Sequence, residues 1–179
     1  MTLAVSEPRG ASPDIFGRSW AGRRVGVIGL GRSGLAAARW LCGAGARVQA
    51  TNAGDRDDLR AAQDALRRLG AERVELGADS PHALEGADLV IVSPGVPETA
   101  VPLRWAAEHG VPVISEIELA FRFCRSPVVA VTGTNGKSTA VSLIAEVLRA
   151  AGRPAVACGN IGTPFAAVHR LHLTVDVRE

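Results

Sequence analysis

From Arg24 onward, short apolar runs alternate with segments of helical periodicity, and this alternation restricts the fold of the 179-residue chain more than any other feature. Five runs rich in valine, isoleucine and leucine have the length of buried strands, at residues 25–28, 48–51, 74–76, 89–92 and 111–114. Helical patterns lie between runs at residues 33–43, 57–69 and 102–109. Because strands that are joined through helices usually pair in parallel, the sequence predicts an α/β fold with a Rossmann-like, doubly wound sheet.

A second series of elements follows a break at Ser126 and Pro127. Residues 118–125 have a helical pattern that ends there, since the residue before a proline disfavours helical geometry. The predicted elements beyond the break are a strand at 127–132, a helix at 140–151, a strand at 155–157, a helix at 164–171 and a strand at 173–177. We therefore predict a first domain over residues 1–125 and the start of a second over residues 126–179. So few strands do not close a sheet of normal size, and we expect the chain to be the front part of a longer protein.

The first predicted strand ends in a glycine-rich turn, Gly29-Leu30-Gly31-Arg32-Ser33-Gly34, which opens the first helix. This G-x-G-x-x-G spacing fits a diphosphate that rests on a helix N-terminus. The glycines also fit a second interpretation, in which they only allow the strand and the helix to pack closely. In dinucleotide-binding proteins the motif is accompanied by an acid about 20 residues later, which binds a ribose hydroxyl.

No acid stands at that place in this chain. Residues 50–52 read Ala-Thr-Asn, and the nearest acid is Asp55, which weakens an NAD or FAD hypothesis. Arg32 and Ser33 are instead candidates for the diphosphate of a nucleotide sugar, and Thr51 and Asn52 are candidates for hydrogen bonds to its base. An NAD-dependent oxidoreductase remains an alternative that rests on the glycine turn alone.

The only lysine among twenty basic residues is Lys137, in the run Gly133-Thr134-Asn135-Gly136-Lys137-Ser138-Thr139 between a predicted strand and a predicted helix. Glycines in such a turn allow backbone N–H groups to surround phosphate oxygens, the lysine reaches the β- and γ-phosphates, and the first hydroxyl coordinates magnesium. The longer common pattern has a glycine six positions before the lysine, where this chain has Val131. A plain Gly-Asn turn before an ordinary helix is the alternative. The loop predicts a truncated P-loop-type α/β ATPase domain.

Two further turns are candidate binding elements. Ser93-Pro94-Gly95 follows the fourth predicted strand at its carboxyl end, where open parallel sheets bind their ligands. Gly159-Asn160-Ile161-Gly162 follows the strand after the lysine loop. A simple proline turn explains the first equally well, and Asn160 also fits the role of a helix cap.

The order and spacing of these motifs, with Ser115-Glu116-Ile117-Glu118-Leu119 between them, resemble the amino-terminal part of the Mur ligase family over nearly all residues from 24 to 179. Within that family the likeness is to the members that add D-glutamate; the alanine-adding members usually carry histidine where Asn135 stands, and they remain an alternative. The resemblance implies a UDP-substrate domain, a central ATPase domain and a carboxyl-terminal domain for the amino acid. Only the first would be complete here.

The resemblance also implies roles for individual residues. ATP would bind the loop formed by Gly133, Thr134, Asn135, Gly136, Lys137, Ser138 and Thr139, with Lys137 as the catalytic residue. The UDP-sugar substrate would contact Ser33, Thr51, Gly95 and Asn160. Gly31, Arg32 and Ser93 are further candidate contacts because of their places in the two turns. Magnesium would bind Ser138 and the glutamate that the family places some 19 residues after Asn160, which is Glu179. Ala50 and Asn52 depart from the acid and base that often flank the uracil.

The implied reaction is ATP- and Mg²⁺-dependent formation of an amide bond between UDP-N-acetylmuramoyl-L-alanine and D-glutamate, through an acyl phosphate, in the synthesis of peptidoglycan precursors. Since the D-glutamate site would lie beyond residue 179, the chain alone is expected to be inactive, and a non-catalytic nucleotide-binding fragment is a further alternative.

Composition limits the partners and the compartment. A net charge of +2 with interspersed acids and bases gives no basic tract for nucleic acid, and no apolar stretch suits a membrane span. Cys42, Cys124 and Cys158 are far apart and lack metal-ligand spacing, which favours reduced thiols. We therefore expect a cytoplasmic, monomeric protein whose partners are small-molecule substrates.

Overall fold

The computed structural model describes residues 2–6, 19–78, 80–168 and 174–177. Its contacts divide the chain into two units, one formed by Pro13–Leu119 and the other by Met1–Ser12 together with Ala120–Glu179. We predicted a division between residues 125 and 126. In this grouping, residues 2–6 and 120–125 belong instead to the unit that contains residues 126–177. No helix of the described ranges has the length and apolar character needed to cross a membrane.

The helices and strands follow in regular alternation from Arg24 onward. The strands are β1 (Thr2–Ser6), β2 (Arg24–Ile28), β3 (Arg47–Asn52), β4 (Arg73–Leu76), β5 (Leu89–Val92), β6 (Val113–Ser115), β7 (Val128–Thr132), β8 (Val156–Gly159) and β9 (Thr174–Val177). The α-helices are α1 (Arg32–Gly43), α2 (Asp57–Arg68), α3 (Val101–Glu108), α4 (Glu116–Phe123), α5 (Lys137–Ala150) and α6 (Phe165–Val168).

The Pro13–Leu119 unit contains a five-stranded sheet in the order β4-β3-β2-β5-β6, and every strand pair in it is parallel. The central strand β2 pairs with β3 from Arg24 opposite Arg47 and with β5 from Val25 opposite Leu89. Its Val25 and Val27 are fully buried, as expected for a strand covered on both faces. The predicted Rossmann-like parallel sheet is confirmed. The strand order changes direction at β2, so the carboxyl ends of β2, β3 and β5 lie side by side at the switch point.

Two details of this unit differ from the sequence prediction. A 3₁₀-helix at Pro81–Leu84 was not predicted, and it buries Leu84 against Gly26, where an added Cβ would lie 2.7 Å from the leucine Cδ2. The last strand begins at Val113 and not at residue 111, because the Val111 N–H donates to the Ala106 carbonyl and thus closes the end of α3.

The second unit contains a four-stranded sheet in the order β1-β7-β9-β8. The strands β7, β9 and β8 pair in parallel, whereas β1 pairs antiparallel with β7 from Thr2 opposite Thr132. Sequence patterns did not predict β1. The helix predicted at 164–171 is described only over Phe165–Val168.

Candidate functional site

The glycine turn after β2 presents an uncapped helix end. Gly29 has a φ of +85°, and its N–H donates to the Thr51 carbonyl, which ties the turn to β3. The helix α1 follows with Gly31 at its N-cap, without a side-chain cap and without an acid in its first turn. The first N–H groups of a helix need acceptors, and the helix dipole favours a negative one. The turn is therefore suited to an anionic ligand.

The glycines of this turn have different roles. A Cβ on Gly34 would lie 1.9 Å from the Gly29 carbonyl oxygen and 2.2 Å from Ser93 Oγ, so only glycine allows α1 to pack so closely on the turn. Gly31 has no heavy atom within 4 Å of the position that a Cβ would take. The packing interpretation thus explains Gly34, while Gly31 keeps open space at the helix end.

A cavity of about 310 Å³ lies at the carboxyl ends of β2, β3 and β5. Its lining is formed by Ile28, Gly29, Thr51, Asn52, Ala53, Gly95, Val96, Pro97, Thr99 and Ala100. The structure thus brings the predicted residues Thr51 and Gly95 to one cavity, at the place where parallel sheets bind ligands. Sequence reasoning stopped at Gly95 and missed the four lining residues from Val96 to Ala100. Their position directly after the proline turn was the available signal.

Two polar side chains of the cavity lining, Thr51 and Asn52, bond to protein groups, and so does Ser93, which contacts the lining residue Gly29 without lining the cavity itself. Ser93 donates its hydroxyl proton to the Gly29 carbonyl over 2.8 Å. Thr51, which is 1% exposed, donates to the Ala78 carbonyl over 3.3 Å. Asn52 Oδ1 accepts the Leu30 N–H at 2.8 Å. A hydroxyl oxygen that donates its proton can still accept a hydrogen bond, so Ser93 and Thr51 remain able to contact a substrate. Those contacts stay predictions.

The nearest acid after β3 is not directed to a ribose. Asp55 accepts two hydrogen bonds from Arg60, at 2.7 Å from Nε and 3.0 Å from Nη2. These bonds lower the pKa of the exposed Asp55 carboxyl from its ordinary value and keep it ionised. The acid nearest to the position that a dinucleotide site would use is therefore held in a surface ion pair.

The lysine loop lies between β7 and α5 in the second unit. Gly136 is the N-cap of α5 with a left-handed φ of +77°, which favours glycine, and Gly133 has a φ of +144°. Lys137 is the first helical residue, and its Nζ donates to the Gly133 carbonyl over 2.7 Å. The lysine thus folds back over its own loop. Thr134, Asn135, Ser138 and Thr139 are exposed around it.

Buried valines hold this loop in place on both sides. Val131 of β7 and Val141 of α5 are fully buried and belong to one cluster with Ala145 and Ala155. Val131 occupies the position at which the longer phosphate-loop pattern has its first glycine. Here that position is part of the core, so the loop proper begins only at Gly133.

The remaining predicted residues are less defined. Asn160 is exposed in the turn after β8, where the Gly159 N–H donates to the Thr163 carbonyl, and α6 begins only at Phe165. Asn160 therefore does not cap that helix directly. Arg32 and Ser33 lie in the first turn of α1, with Arg32 exposed. Glu179 lies outside the described residues. Within those residues, no group of three or more histidine, cysteine, aspartate or glutamate side chains forms a metal site.

Comparison with known proteins identifies the family. The family model described as Mur ligase MurD-like, N-terminal domain, matches residues 23–115. The chain is 49% identical over 143 residues to the UDP-N-acetylmuramoylalanine--D-glutamate ligase of Desulfosudis oleivorans, covering 80% of this chain and 31% of the relative. It is 50% identical over 148 residues to the protein of the same name from Frankia casuarinae, covering 82% of this chain and 31% of the relative.

A solved structure shares the fold. It is that of UDP-N-acetylmuramate:L-alanyl-gamma-D-glutamyl-meso-diaminopimelate ligase from Neisseria meningitides, with a TM-score of 0.56 at 20% identity over 88% of this chain and 52% of that chain. The present chain spans about a third of the length of the curated relatives it matches. The family match covers more than half of the chain, including the glycine turn and the cavity. The chain therefore belongs to the MurD-like Mur ligases, to which it is related through their N-terminal domain.

Proposed function

We propose that the chain forms the UDP-substrate and ATP-binding part of an enzyme that joins D-glutamate to UDP-N-acetylmuramoyl-L-alanine. The observation that carries the proposal is the lysine loop, in which Lys137 lies at the start of α5 with its Nζ on the Gly133 carbonyl. The family model ends at residue 115, before this loop, whereas the 143-residue similarity to the Desulfosudis oleivorans relative covers 80% of the chain and therefore includes it. The Pro13–Leu119 unit is assigned to the UDP substrate, and residues from 126 onward to the start of a P-loop-type ATPase domain.

The loop residues fit a nucleoside triphosphate. The left-handed Gly136 and the start of α5 direct backbone N–H groups toward a phosphate, and no acid lies in the first turn of α5 to repel it. The only lysine of the chain then exchanges its bond with the Gly133 carbonyl for the β- and γ-phosphates. A loop of exposed Thr134, Asn135 and Ser138 leaves room for this exchange.

The described residues fit magnesium only as an ion that is coordinated mainly by the phosphates of the nucleotide. Ser138 supplies one hard oxygen ligand, and magnesium characteristically completes its shell with waters, phosphates and one or two carboxylates. Glu179 is the proposed carboxylate. When bound, the ion reduces the negative charge that opposes attack on the γ-phosphate.

The glycine turn and the cavity are assigned to the UDP-sugar. The diphosphate rests on the uncapped first turn of α1, which contains Gly31, Arg32 and Ser33, and the base and ribose enter the cavity near Thr51 and Gly95. β3 ends in Ala50, Thr51 and Asn52 without an acid, and the nearest acid, Asp55, is paired with Arg60, which supports a nucleotide sugar over NAD. Asn160 is proposed to contact the sugar portion of the substrate.

The proposed chemistry is activation of a carboxylate. A carboxylate is a poor acyl donor, so the alanyl carboxylate of the substrate first attacks the γ-phosphate and releases ADP. The amine of D-glutamate then attacks the acyl phosphate, and phosphate leaves. Lys137 stabilises the negative charge on the transferring phosphoryl group, which is positioning and electrostatic work without a covalent enzyme intermediate. The proposed compartment for this synthesis is the cytoplasm.

A chimera tests the proposal directly. The matching first third of the Desulfosudis oleivorans relative is replaced with this chain, and ATP- and D-glutamate-dependent product formation is measured by mass spectrometry. We expect activity with the chimera. We expect Lys137→Ala to reduce the rate by about three orders of magnitude or more, since it removes the positive charge at the phosphoryl group. A control variant, Arg153→Ala, removes an exposed basic residue beyond α5 and should keep the chimera's rate.

Two outcomes would contradict the proposal. A folded chimera that binds no UDP-sugar would remove the assignment of the cavity. Full ligation by Lys137→Ala would remove the assignment of the lysine loop.

A further inference from the structure

The Asn52 side chain connects two segments that line the cavity. Its Oδ1 accepts the Leu30 N–H at 2.8 Å, and its Nδ2 donates to the Gly54 carbonyl at 3.1 Å. Leu30 lies within the glycine turn, between Gly29 and Gly31. Gly54 follows Ala53, which lines the cavity on the side of β3. One carboxamide thus joins the glycine turn to the loop after β3.

The two bonds fix the chemistry required at position 52. The Leu30 N–H can only donate and the Gly54 carbonyl can only accept, so the side chain needs an acceptor and a donor on the same planar group. A carboxamide provides both in a single orientation. An aspartate keeps the acceptor for Leu30 but places its second oxygen against the Gly54 carbonyl, and an alanine loses both bonds.

The Leu30 N–H has a particular need for this acceptor. Leu30 is 2% exposed, and a buried N–H without a partner is costly. The neighbouring Gly29 N–H is held separately by the Thr51 carbonyl at 2.9 Å. Without Asn52, the turn therefore keeps its anchor at Gly29 but loses the one at Leu30, directly before the residue that starts the open helix end.

We infer that Asn52 is a positioning residue for nucleotide binding, which holds the glycine turn and the loop after β3 in the geometry that accepts the diphosphate. The inference rests on the proposed function of the cavity. It also explains why β3 ends in an amide and not in an acid: the residue acts on the protein backbone, and a carboxylate would bring negative charge next to the diphosphate.

The test uses the 179-residue chain with Asn52→Ala, Asn52→Asp and a matched control, Gln63→Ala. Gln63 is also an amide, and its Nε2 donates to the Val74 carbonyl at 2.8 Å in the same unit, away from the cavity lining. Amide hydrogen exchange of Leu30 and Gly29 is followed by NMR without ligand. The affinity for UDP is measured by calorimetry at low and high salt.

For Asn52→Ala we expect Leu30 exchange to rise at least about tenfold while Gly29 exchange changes little, and UDP affinity to fall about tenfold at both salt concentrations. For Asn52→Asp we expect Leu30 to stay protected. Its UDP affinity should fall about tenfold at low salt and recover at high salt, because salt screens the added charge. Gln63→Ala should match wild type in Leu30 exchange and in UDP affinity.

Unchanged Leu30 exchange or unchanged UDP affinity in Asn52→Ala would overturn the inference. An equal loss of affinity in Gln63→Ala would also overturn it, since the effect would then be one of general stability. If the wild-type chain bound no UDP, the proposed function would fail, whereas the exchange data would still report whether Asn52 holds the turn.

Discussion

Gly34 provides the sharpest test of how the glycine turn is built. A Cβ at this position would lie 1.9 Å from the Gly29 carbonyl oxygen, which is backbone and cannot rotate away. It would also lie 2.2 Å from Ser93 Oγ, which donates to that same carbonyl. Gly34→Ala therefore forces α1 away from the turn and disrupts the Ser93 bond.

The magnitude follows from three contributions. Overpacking against backbone costs about 3 kcal/mol, at the upper end of the usual range. The lost Ser93 hydrogen bond costs about 1 kcal/mol. The higher helix propensity of alanine relative to glycine stabilises the variant by about 1 kcal/mol. The net loss in the free energy of unfolding is about 3 kcal/mol, which lowers the melting temperature of a domain of this size by roughly 10–20 °C.

Gly43→Ala is the matched control, because Gly43 lies in the same helix and no heavy atom lies within 4 Å of its added Cβ. Its melting temperature should equal or slightly exceed that of wild type. Both variants are compared by thermal unfolding followed by circular dichroism and by urea titration. If Gly34→Ala were as stable as Gly43→Ala, the close packing of α1 on the turn would be refuted.

Three other variants test separate parts of the structure. Ser93→Ala should lower the free energy of unfolding by about 1 kcal/mol in urea titrations, because it removes the bond to Gly29, and an unchanged midpoint would contradict that bond. Arg60→Ala removes the partner that lowers the Asp55 pKa, and this pairing stabilises the fold only while Asp55 is ionised. The variant should therefore be slightly less stable than wild type above the unfolded pKa of 3.8, and the difference in stability should disappear as the pH falls through the lower folded pKa. A difference in stability that persisted in acid would exclude this origin. Gly136→Ala places a side chain at φ +77° and should weaken ATP binding to the chain. Gly152, in a turn after α5, has a similar φ of +73°, and Gly152→Ala should weaken ATP binding less. Equal effects would show that the loop geometry is not specific to the nucleotide.

Much of the fold was predictable because each element is encoded locally. The buried valines of β2 and the period of α1 gave the parallel sheet, and the glycine spacing gave the position of the turn. The strand β1 was not predictable, since its antiparallel partner β7 lies more than a hundred residues away in sequence. The 3₁₀-helix at Pro81–Leu84 did have a local signal, because the Ser80 hydroxyl accepts the His82 N–H and a proline begins the turn; its packing of Leu84 beside Gly26 was not predictable from that signal.

The candidate site shows a similar division. The residues proposed to bind phosphate were selected from their spacing, and the structure shows the positive φ angles at Gly133 and Gly136 that such a loop requires. Their contacts with a nucleotide stay predictions. The contact of Asn52 with Leu30 was not predicted, because it joins the last residue of β3 to the glycine turn after β2. A polar residue after a strand fits a ligand contact as well as a backbone contact, and only the three-dimensional arrangement distinguishes them.

Calorimetric titration of the 179-residue chain with UDP-N-acetylmuramoyl-L-alanine, UDP and NAD distinguishes a nucleotide-sugar site from a dinucleotide site in the cavity. We predict saturable binding of the UDP-sugar with one site per chain and competition by UDP, because the cavity lies beside an uncapped helix end. We predict no measurable binding of NAD, because β3 ends without an acid and Asp55 is paired with Arg60. Tighter binding of NAD than of the UDP-sugar would contradict these predictions.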